Sequence, residues 1–473
     1  MADPGTGFAL RVSENKYLSE DDDEVVALLR VVADGVGGSE PDAAEVILLD
    51  CSGSMAAPPT KMRAAKKATC AAVDALRDGV RFAVVRGTHE AVMAYPEQQR
   101  LAVAGPDTRA AAKQAVHQLV ASDGTAMGKW LGLAGSLLHG QRSAVRHAIL
   151  ITDGRQEHES RSELDRVLAG CVGQFSCDAR GIGNDWQPLE LLHIADVLSG
   201  QARGVGRLEE MVADLTEVMR ASMRKTVPDV TLRVRTVSTA RLHEIQQVHP
   251  TTADLTPQGR QLDPRTNEFA IGTWTPGENR DYLVRVRVDR PDQITDEDLG
   301  VTRIELLTGG RNGTAGSAMI VVHWTDDRAL SMPLNPEVVH YLAQVPLGDA
   351  ARAGCDAYRS GDADRAVEEF GRAVALATRF GNETILRRLR RMVEIVDAAA
   401  GVVRIRADLP LSEILATYTD SVMTTRNGEA RHAPAPGVVG PPRVCPECGH
   451  RSPPDAVVCE RYGHPLPSPK EAE

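Results

Sequence analysis

Asp50, Ser52 and Ser54 stand at alternate positions in VILLDCSGSM, residues 46–55, directly after four apolar residues. A carboxylate and two hydroxyls spaced in this way converge if the chain turns tightly after the apolar run. Such hard oxygen donors suit Mg²⁺ or Mn²⁺ better than Zn²⁺. Three side chains do not fill an octahedron, so further oxygens must come from elsewhere. Two are on offer in other segments: Thr125 in SDGTAMG and Asp153 in ITDG. A plainer use for Asp50 and Ser52 is to cap the helix that follows, but it leaves Thr125 and Asp153 without a task.

A second donor group lies near the end of the chain. Cys445 and Cys448 in CPECG place two thiolates on a tight turn that Gly449 permits, the form of a zinc knuckle. Cys459 follows, but the position of a fourth cysteine holds Tyr462. His464, two residues on, completes a candidate Cys₃His set for Zn²⁺: Cys445, Cys448, Cys459 and His464. A module of this size has almost no core, so the metal would be its main source of folding energy. The alternative is a degenerate tail.

Nucleophilic chemistry finds less support. Aspartyl-phosphate chemistry would want an acid two residues after the nucleophilic Asp50, and Ser52 stands there. A nucleophile elbow needs glycine two residues before its serine; Ser52 has Asp50 there and Ser54 has Ser52. His89, His147 and His158 are not locally paired with either serine. The expectation is therefore a protein that is not an enzyme. The alternative is a Mg²⁺-dependent hydrolase using the same ion to activate water.

Several elements must carry these residues. From residue 46 onward, short apolar strands alternate with amphipathic helices, the pattern of a mainly parallel sheet covered on both faces. Asp50 and Asp153 each close such a strand, and ligands bind at the carboxyl ends of strands in open α/β sheets. After residue 228 the helical signal stops. Six strand-like runs, from VTLRVRTV to SAMIVVHW, predict an antiparallel β-sandwich. Two runs within residues 8–35 have no place in the α/β sheet and are assigned to that sandwich, making it discontinuous. The stretch GVGGSEPDAA reads as a linker. AYRSGDADRAVEEFGRAVALATRFGN resembles one tetratricopeptide-like helical hairpin with Gly361 at its turn. The predicted organisation is 1–40, strands of the sandwich; 44–225, α/β domain; 228–328, β-sandwich; 335–424, helical hairpin region; 425–442, linker; and 443–468, zinc-ribbon-like module.

The 473 residues exceed one ordinary domain. Only 4% are aromatic, so the cores must be built from Val, Leu, Ile and Ala. A net charge of -11 argues against nucleic acid and anionic membranes as partners. No run reaches the ~20 apolar residues of a membrane span, and the first residues lack a secretory signal. Five scattered cysteines and a local cluster of three are no disulfide framework, so a reducing cytoplasm is expected, with Cys171 and Cys177 as buried thiols. Arginine in excess of lysine, with abundant Ala, Gly and Val, points to a GC-rich bacterial source.

DCSGSM, GTAMG and LITDG, in this order and spacing, resemble the von Willebrand factor type A family and its metal-ion-dependent adhesion site. The resemblance covers roughly residues 44–225 and implies a Rossmann-like doubly wound fold. It places the family's metal site on Asp50, Ser52, Ser54, Thr125 and Asp153. The serines and threonine would hold Mg²⁺ (or Mn²⁺ or Ca²⁺) directly or nearly so, and the aspartates partly through water. It further implies a protein partner that supplies an Asp or Glu to the metal, in a multi-protein assembly of the signalling, stress-response or AAA+-associated kind. Pro58, Pro59, Lys61, Lys129, Trp130 and RQEHES (155–160) are candidates for the surrounding contact surface, with Trp130 equally suited to a core. A vestigial site on a structural module is the third reading.

Overall fold

The computed structural model describes residues 7–19, 22–34, 42–141, 144–154, 158–290, 297–308, 313–331, 335–426, 443–446, 451–452 and 466. Most of the first linker (35–41), residues 155–157 of RQEHES, most of the second linker (427–442), and Cys448, Cys459 and His464 lie outside these.

The chain opens with β1 (Ala9–Glu14), β2 (Tyr17–Leu18) and β3 (Glu24–Val32). An α/β unit follows: β4 (Ala43–Asp50), α1 (Pro59–Asp74), β5 (Arg81–Gly87), β6 (Ala91–Tyr95), β7 (Ala102–Val103), α2 (Pro106–Gln118), α3 (Met127–Leu138), β8 (Val145–Thr152), α4 (Arg161–Cys171), β9 (Ser176–Ile182), α5 (Pro188–Val197), β10 (Ala202–Val205) and α6 (Met211–Met223). Its sheet has the order β10-β9-β8-β4-β5-β6, with β7 also on β5. The strands from β10 to β5 are parallel, while β6 and β7 run antiparallel to β5. Every residue of β4 and β8 is buried. Val46, Leu48, Ala148 and Leu150 face α3, α4 and α5. Ile47, Leu49, Ile149 and Ile151 face α1, α2 and α6. Continuous apolar strands arise because both faces are covered. After β4 the chain adds β5 on one side and later β8 on the other, so the strand order reverses at β4, where such sheets leave a crevice at their carboxyl ends.

The antiparallel part comprises β11 (Thr231–Thr236), β12 (Ala240–His249), β13 (Ala253–Asp254), β14 (Arg260–Asp263), β15 (Thr266–Ala270), β16 (Asn279–Val288), β17 (Leu299–Thr308) and β18 (Gly313–Trp324). Two sheets result, β1-β3-β16-β12-β13 and β14-β15-β11-β17-β18-β2. They share one apolar core that includes Leu29, Val234, Phe269, Trp274, Val284, Ile304 and Ile320. Strands from both ends of the α/β unit therefore pair together: β3 lies along β16, and β2 runs parallel to β18.

The remaining elements are α7 (Arg328–Ser331), α8 (Pro336–Leu342), α9 (Val345–Ser360), α10 (Ala363–Phe380), α11 (Glu383–Met392), β19 (Val393–Asp397), β20 (Val402–Ile405), α12 (Leu411–Asp420), β21 (Arg443–Val444) and β22 (Arg451–Ser452). Gly361 ends α9 with φ +82°, a left-handed conformation that glycine adopts freely. The helical reading of the segment up to residue 400 needs one correction. VEIVD and VVRI, rich in β-branched residues, form the antiparallel hairpin β19–β20. α12 then packs on β10, where the Gly204 N–H donates to Thr419 Oγ1 at 2.9 Å. A β-carbon on Gly204 would collide with Ala416. The outer strand of the sheet is thus covered rather than left as an open edge. Among the described residues no helix is long and apolar enough to cross a membrane.

Candidate metal centre

The segments after β4 and β8 leave the carboxyl side of the sheet, and backbone hydrogen bonds tie to them the α2–α3 loop that carries Thr125. The Gly53 N–H donates to Asp123 O at 2.8 Å, and Ser122 N–H to Cys51 O at 2.7 Å. His158 N–H donates to Thr125 O at 3.1 Å. A fourth tie comes from Glu159, whose carboxylate accepts from the Gly128 N–H at 2.8 Å in the first turn of α3. An anion is favoured there by the helix dipole.

The side chains converge on Gly154. A β-carbon built at Gly154 would lie 3.0 Å from Thr125 Oγ1, 3.5 Å from Asp50 Oδ2 and 3.6 Å from Ser54 Oγ. Ser52 Oγ is 3.0 Å from Ser54 Oγ, which donates to Asp153 Oδ1 at 2.7 Å. Asp50, Ser52, Ser54, Thr125 and Asp153 are therefore gathered at one place, although they come from three separate loops. Above them opens a cleft of about 280 Å³ lined by Ser52, Gly53, Ser54, Asp123, Gly124, Thr125, Gly154 and Asp185.

The two carboxylates are completely buried and differ in what holds them. Asp50 accepts from the Ser52 N–H at 2.7 Å and from Thr152 Oγ1 at 2.5 Å. Burial nevertheless pushes its pKa up to about 6, against the pull of those hydrogen bonds and with help from the Asp153 charge. Asp153 gives one oxygen to Ser54 and the other to Lys61 Nζ. A cation among these oxygens would offset the desolvation of Asp50, and its donor set of hydroxyls and carboxylates is hard. The residues present fit a divalent ion of the Mg²⁺ class.

Two residues assigned to the surrounding surface belong elsewhere. Lys61 is only 4% exposed, because its side chain turns inward to Asp153. Trp130 is fully buried. Its Nε1–H donates to Thr88 O at 2.6 Å, and its ring fills the space where a Gly87 β-carbon would lie at 2.5 Å. Pro58, Pro59, Lys129 and His158 are exposed. Reading the sequence overlooked Thr152, which orients Asp50, and Asp185, which lines the cleft. The TDG tripeptide was a visible signal for the first; nothing local marked the second. The five chosen residues contain only two of the usual charged or nitrogen and sulfur ligand types, and among the described residues no cluster of three or more His, Cys, Asp or Glu is arranged to hold a metal. The candidate centre depends on hydroxyls instead. In the tail, Cys445 is 1% exposed. Its three expected companions lie outside the described residues.

A second hollow, of about 300 Å³, lies between the α/β unit and the antiparallel sheets. Its arginines are already paired, Arg180 with Asp214, Arg203 with Asp420 and Arg280 with Glu278. It presents no comparable set of converging hydroxyls.

A family profile described as the von Willebrand factor type A domain matches residues 44–203. The solved structure of a von Willebrand factor type A protein from Catenulispora acidiphila is 37% identical, with a TM-score of 0.79 over 89% of this chain and 98% of that one. The crystal structure of the ArnB paralog VWA2 from Sulfolobus acidocaldarius is 14% identical, with a TM-score of 0.51 over 88% of this chain and 99% of that one, a likeness of fold alone. Among curated proteins, none matches the chain.

Proposed function

Because the chain belongs to the von Willebrand factor type A family, we propose that the hydroxyl cradle around Gly154 holds a divalent cation and that the cleft above it receives an Asp or Glu side chain of a partner protein. Ser52, Ser54 and Thr125 would hold the ion, with Asp50 and Asp153 balancing its charge. Mg²⁺ fits this donor set, as do Mn²⁺ and Ca²⁺. The bound ion would supply the positive charge that a carboxylate seeks. The chain's own residues fix the arrangement: Thr152 and the Ser52 N–H hold Asp50, while Ser54 and Lys61 hold Asp153. The convergence of Thr125, Asp50 and Ser54 oxygens on one point beneath an open cleft carries this reading.

The role is binding rather than turnover. What supports binding is that the Ser54 hydroxyl is committed to Asp153, holding that carboxylate in place beside the cradle. The protein would act as a cytoplasmic scaffold within a bacterial assembly of signalling, stress-response or AAA+-associated proteins. The antiparallel sheets form its β-sandwich.

Affinity purification from native cells, with and without chelator, tests the reading. Asp50→Ala and Thr125→Ala should each abolish Mg²⁺-dependent partner recovery while the thermal unfolding transition persists. Unchanged recovery in both variants would sink it, and Mg²⁺-dependent substrate turnover without a partner would favour the hydrolase. For the tail we propose Zn²⁺ on Cys445, Cys448, Cys459 and His464. Elemental analysis of purified protein should find about one equivalent, whereas less than about a tenth would mark a degenerate ribbon.

A further inference from the structure

Lys61 is the third residue of α1, in a helical turn whose dipole favours anions. That first turn contains no acidic residue to offset it. Lysine is also among the residues least often buried, because removing its ammonium from water is costly unless a partner compensates. Both disadvantages are accepted here for one contact. The Lys61 side chain is 4% exposed and Asp153 is fully buried, and Nζ sits directly on Asp153 Oδ2. The stem is given room by Gly183, which has φ +74°; a β-carbon there would lie 3.0 Å from Lys61 Cδ. On the outer side Nζ reaches Asp185 Oδ2 at 3.5 Å, but that carboxylate is 61% exposed and well screened. The buried charges at the centre are therefore two carboxylates and one ammonium.

We propose that Lys61 is a specificity-determining residue, a fixed internal cation that cancels the charge of Asp153. It thereby loosens the centre's hold on its metal and strengthens the metal-loaded centre's hold on an anionic ligand. This rests on the metal-binding reading above and adds the rule by which that site chooses its ligand. With Asp153 cancelled, Asp50 alone opposes the two charges of a divalent ion, and a net positive charge remains for an incoming carboxylate. Without the lysine, the ion would be neutralised inside the protein, bound more tightly and less attractive to acids.

The two affinities must then move in opposite directions, which loss of mere packing would not produce. Calorimetric titration with Mn²⁺ should show Lys61→Met binding the ion about tenfold more tightly than wild type. Titrating acetate into the Mn²⁺-loaded proteins, followed by water-proton relaxation, should show the variant binding acetate several-fold more weakly. Lys61→Arg, which keeps the charge, should remain near wild type in both. Because Lys61→Met leaves Asp153 buried without a counter-charge, Asp153→Asn provides a second background. There the uncancelled lysine should weaken Mn²⁺ binding, and adding Lys61→Met should recover about tenfold. Unchanged or weaker Mn²⁺ binding in Lys61→Met, or no recovery in the double variant, overturns the proposal. Wild-type protein that binds no Mn²⁺ at all would instead overturn the metal-binding reading itself.

Discussion

The strands that end in Asp50 and lead into Asp153 carry a second set of charged residues at their opposite ends. Glu45 on β4 and His147 on β8 are register partners, and Asp178 lies on neighbouring β9. His147 donates from Nδ1 to Glu45 at 2.7 Å and from Nε2 to Asp178 at 3.1 Å. Glu45 also accepts from Ser222 of α6, and Asp178 accepts from the Gln201 N–H at 2.7 Å. Burial opposes the imidazolium, yet Glu45 and Asp178 prevail and hold His147 at about 9. Asp178 is half-buried, which would raise its pKa, but the hydrogen bond and charge of His147, with Arg180, hold it well below the ordinary carboxylate range. Each charge at this end meets an opposite one, and Glu45 and His147 are closed off from solvent. At the other end the second carboxylate has no such answer: Lys61 meets Asp153, while Asp50 has only dipoles, and a cleft opens above it. A strand row can thus be equally polar at both ends and serve structure at one and binding at the other. What separates the two is whether the protein supplies its own counter-charge.

The contrast predicts a large effect at the closed end. Glu45→Ala strips one partner from a buried ion cluster and should cost about 3–5 kcal/mol in urea unfolding, with Mn²⁺ affinity of the folded protein unchanged. A cost below about 1 kcal/mol would mean that the cluster is not structural in this sense. The same cluster should give wild type a characteristic pH dependence. A folded pKa near 9 lies above the ordinary histidine value of 6.5, so proton binding favours the folded state. That stabilisation is complete below about pH 6.5 and is lost as the pH rises through about 9, on the order of 3 kcal/mol. Urea midpoints measured from pH 6.5 to 9.5 should fall for wild type and stay much flatter for Glu45→Ala.

Much of this contrast could be read from residue types alone, and the unread part has a common cause. VILLD and HAILITDG announce buried parallel strands because nothing polar interrupts them, and the structure places them side by side as β4 and β8. Asp50, Ser52, Ser54, Thr125 and Asp153 were legible because oxygen donors followed strand ends at two places and a loop between helices at a third, and these five do meet. Lys61 was misjudged as a surface residue because a lysine after two prolines near a helix start gives no sign of which way its flexible stem will turn. The cluster of Glu45, His147 and Asp178 went unread for a similar reason, although His147 alone was weighed as a partner for the serines. Single polar residues in separate apolar strands become a cluster only when the register is known. The hairpin at 393–405 was hidden by the strong helical periodicity that precedes it, although its alternating valines and isoleucines carried the signal. Local chemistry is written in the chain at the motif; the partners that balance it come from tertiary contact.

The smallest effect expected is also the most direct probe of the open end. Gly154 has an ordinary negative φ, so alanine is tolerated by the backbone there. Its methyl group would sit 3.0 Å from Thr125 Oγ1, with Asp50 Oδ2 and Ser54 Oγ at 3.5 and 3.6 Å. That is the point on which the oxygens converge, so the methyl should push the hydroxyls apart and crowd any ion they hold. Gly154→Ala is expected to keep its unfolding midpoint close to wild type and to weaken Mn²⁺ binding about tenfold, roughly 1.4 kcal/mol. A comparable methyl at the closed end would meet packed atoms and register as instability instead. If Gly154→Ala bound Mn²⁺ as wild type does, the oxygens would not be organised around that point. The distinction between an end left open for an external cation and an end already closed by His147 would then lose its geometric basis.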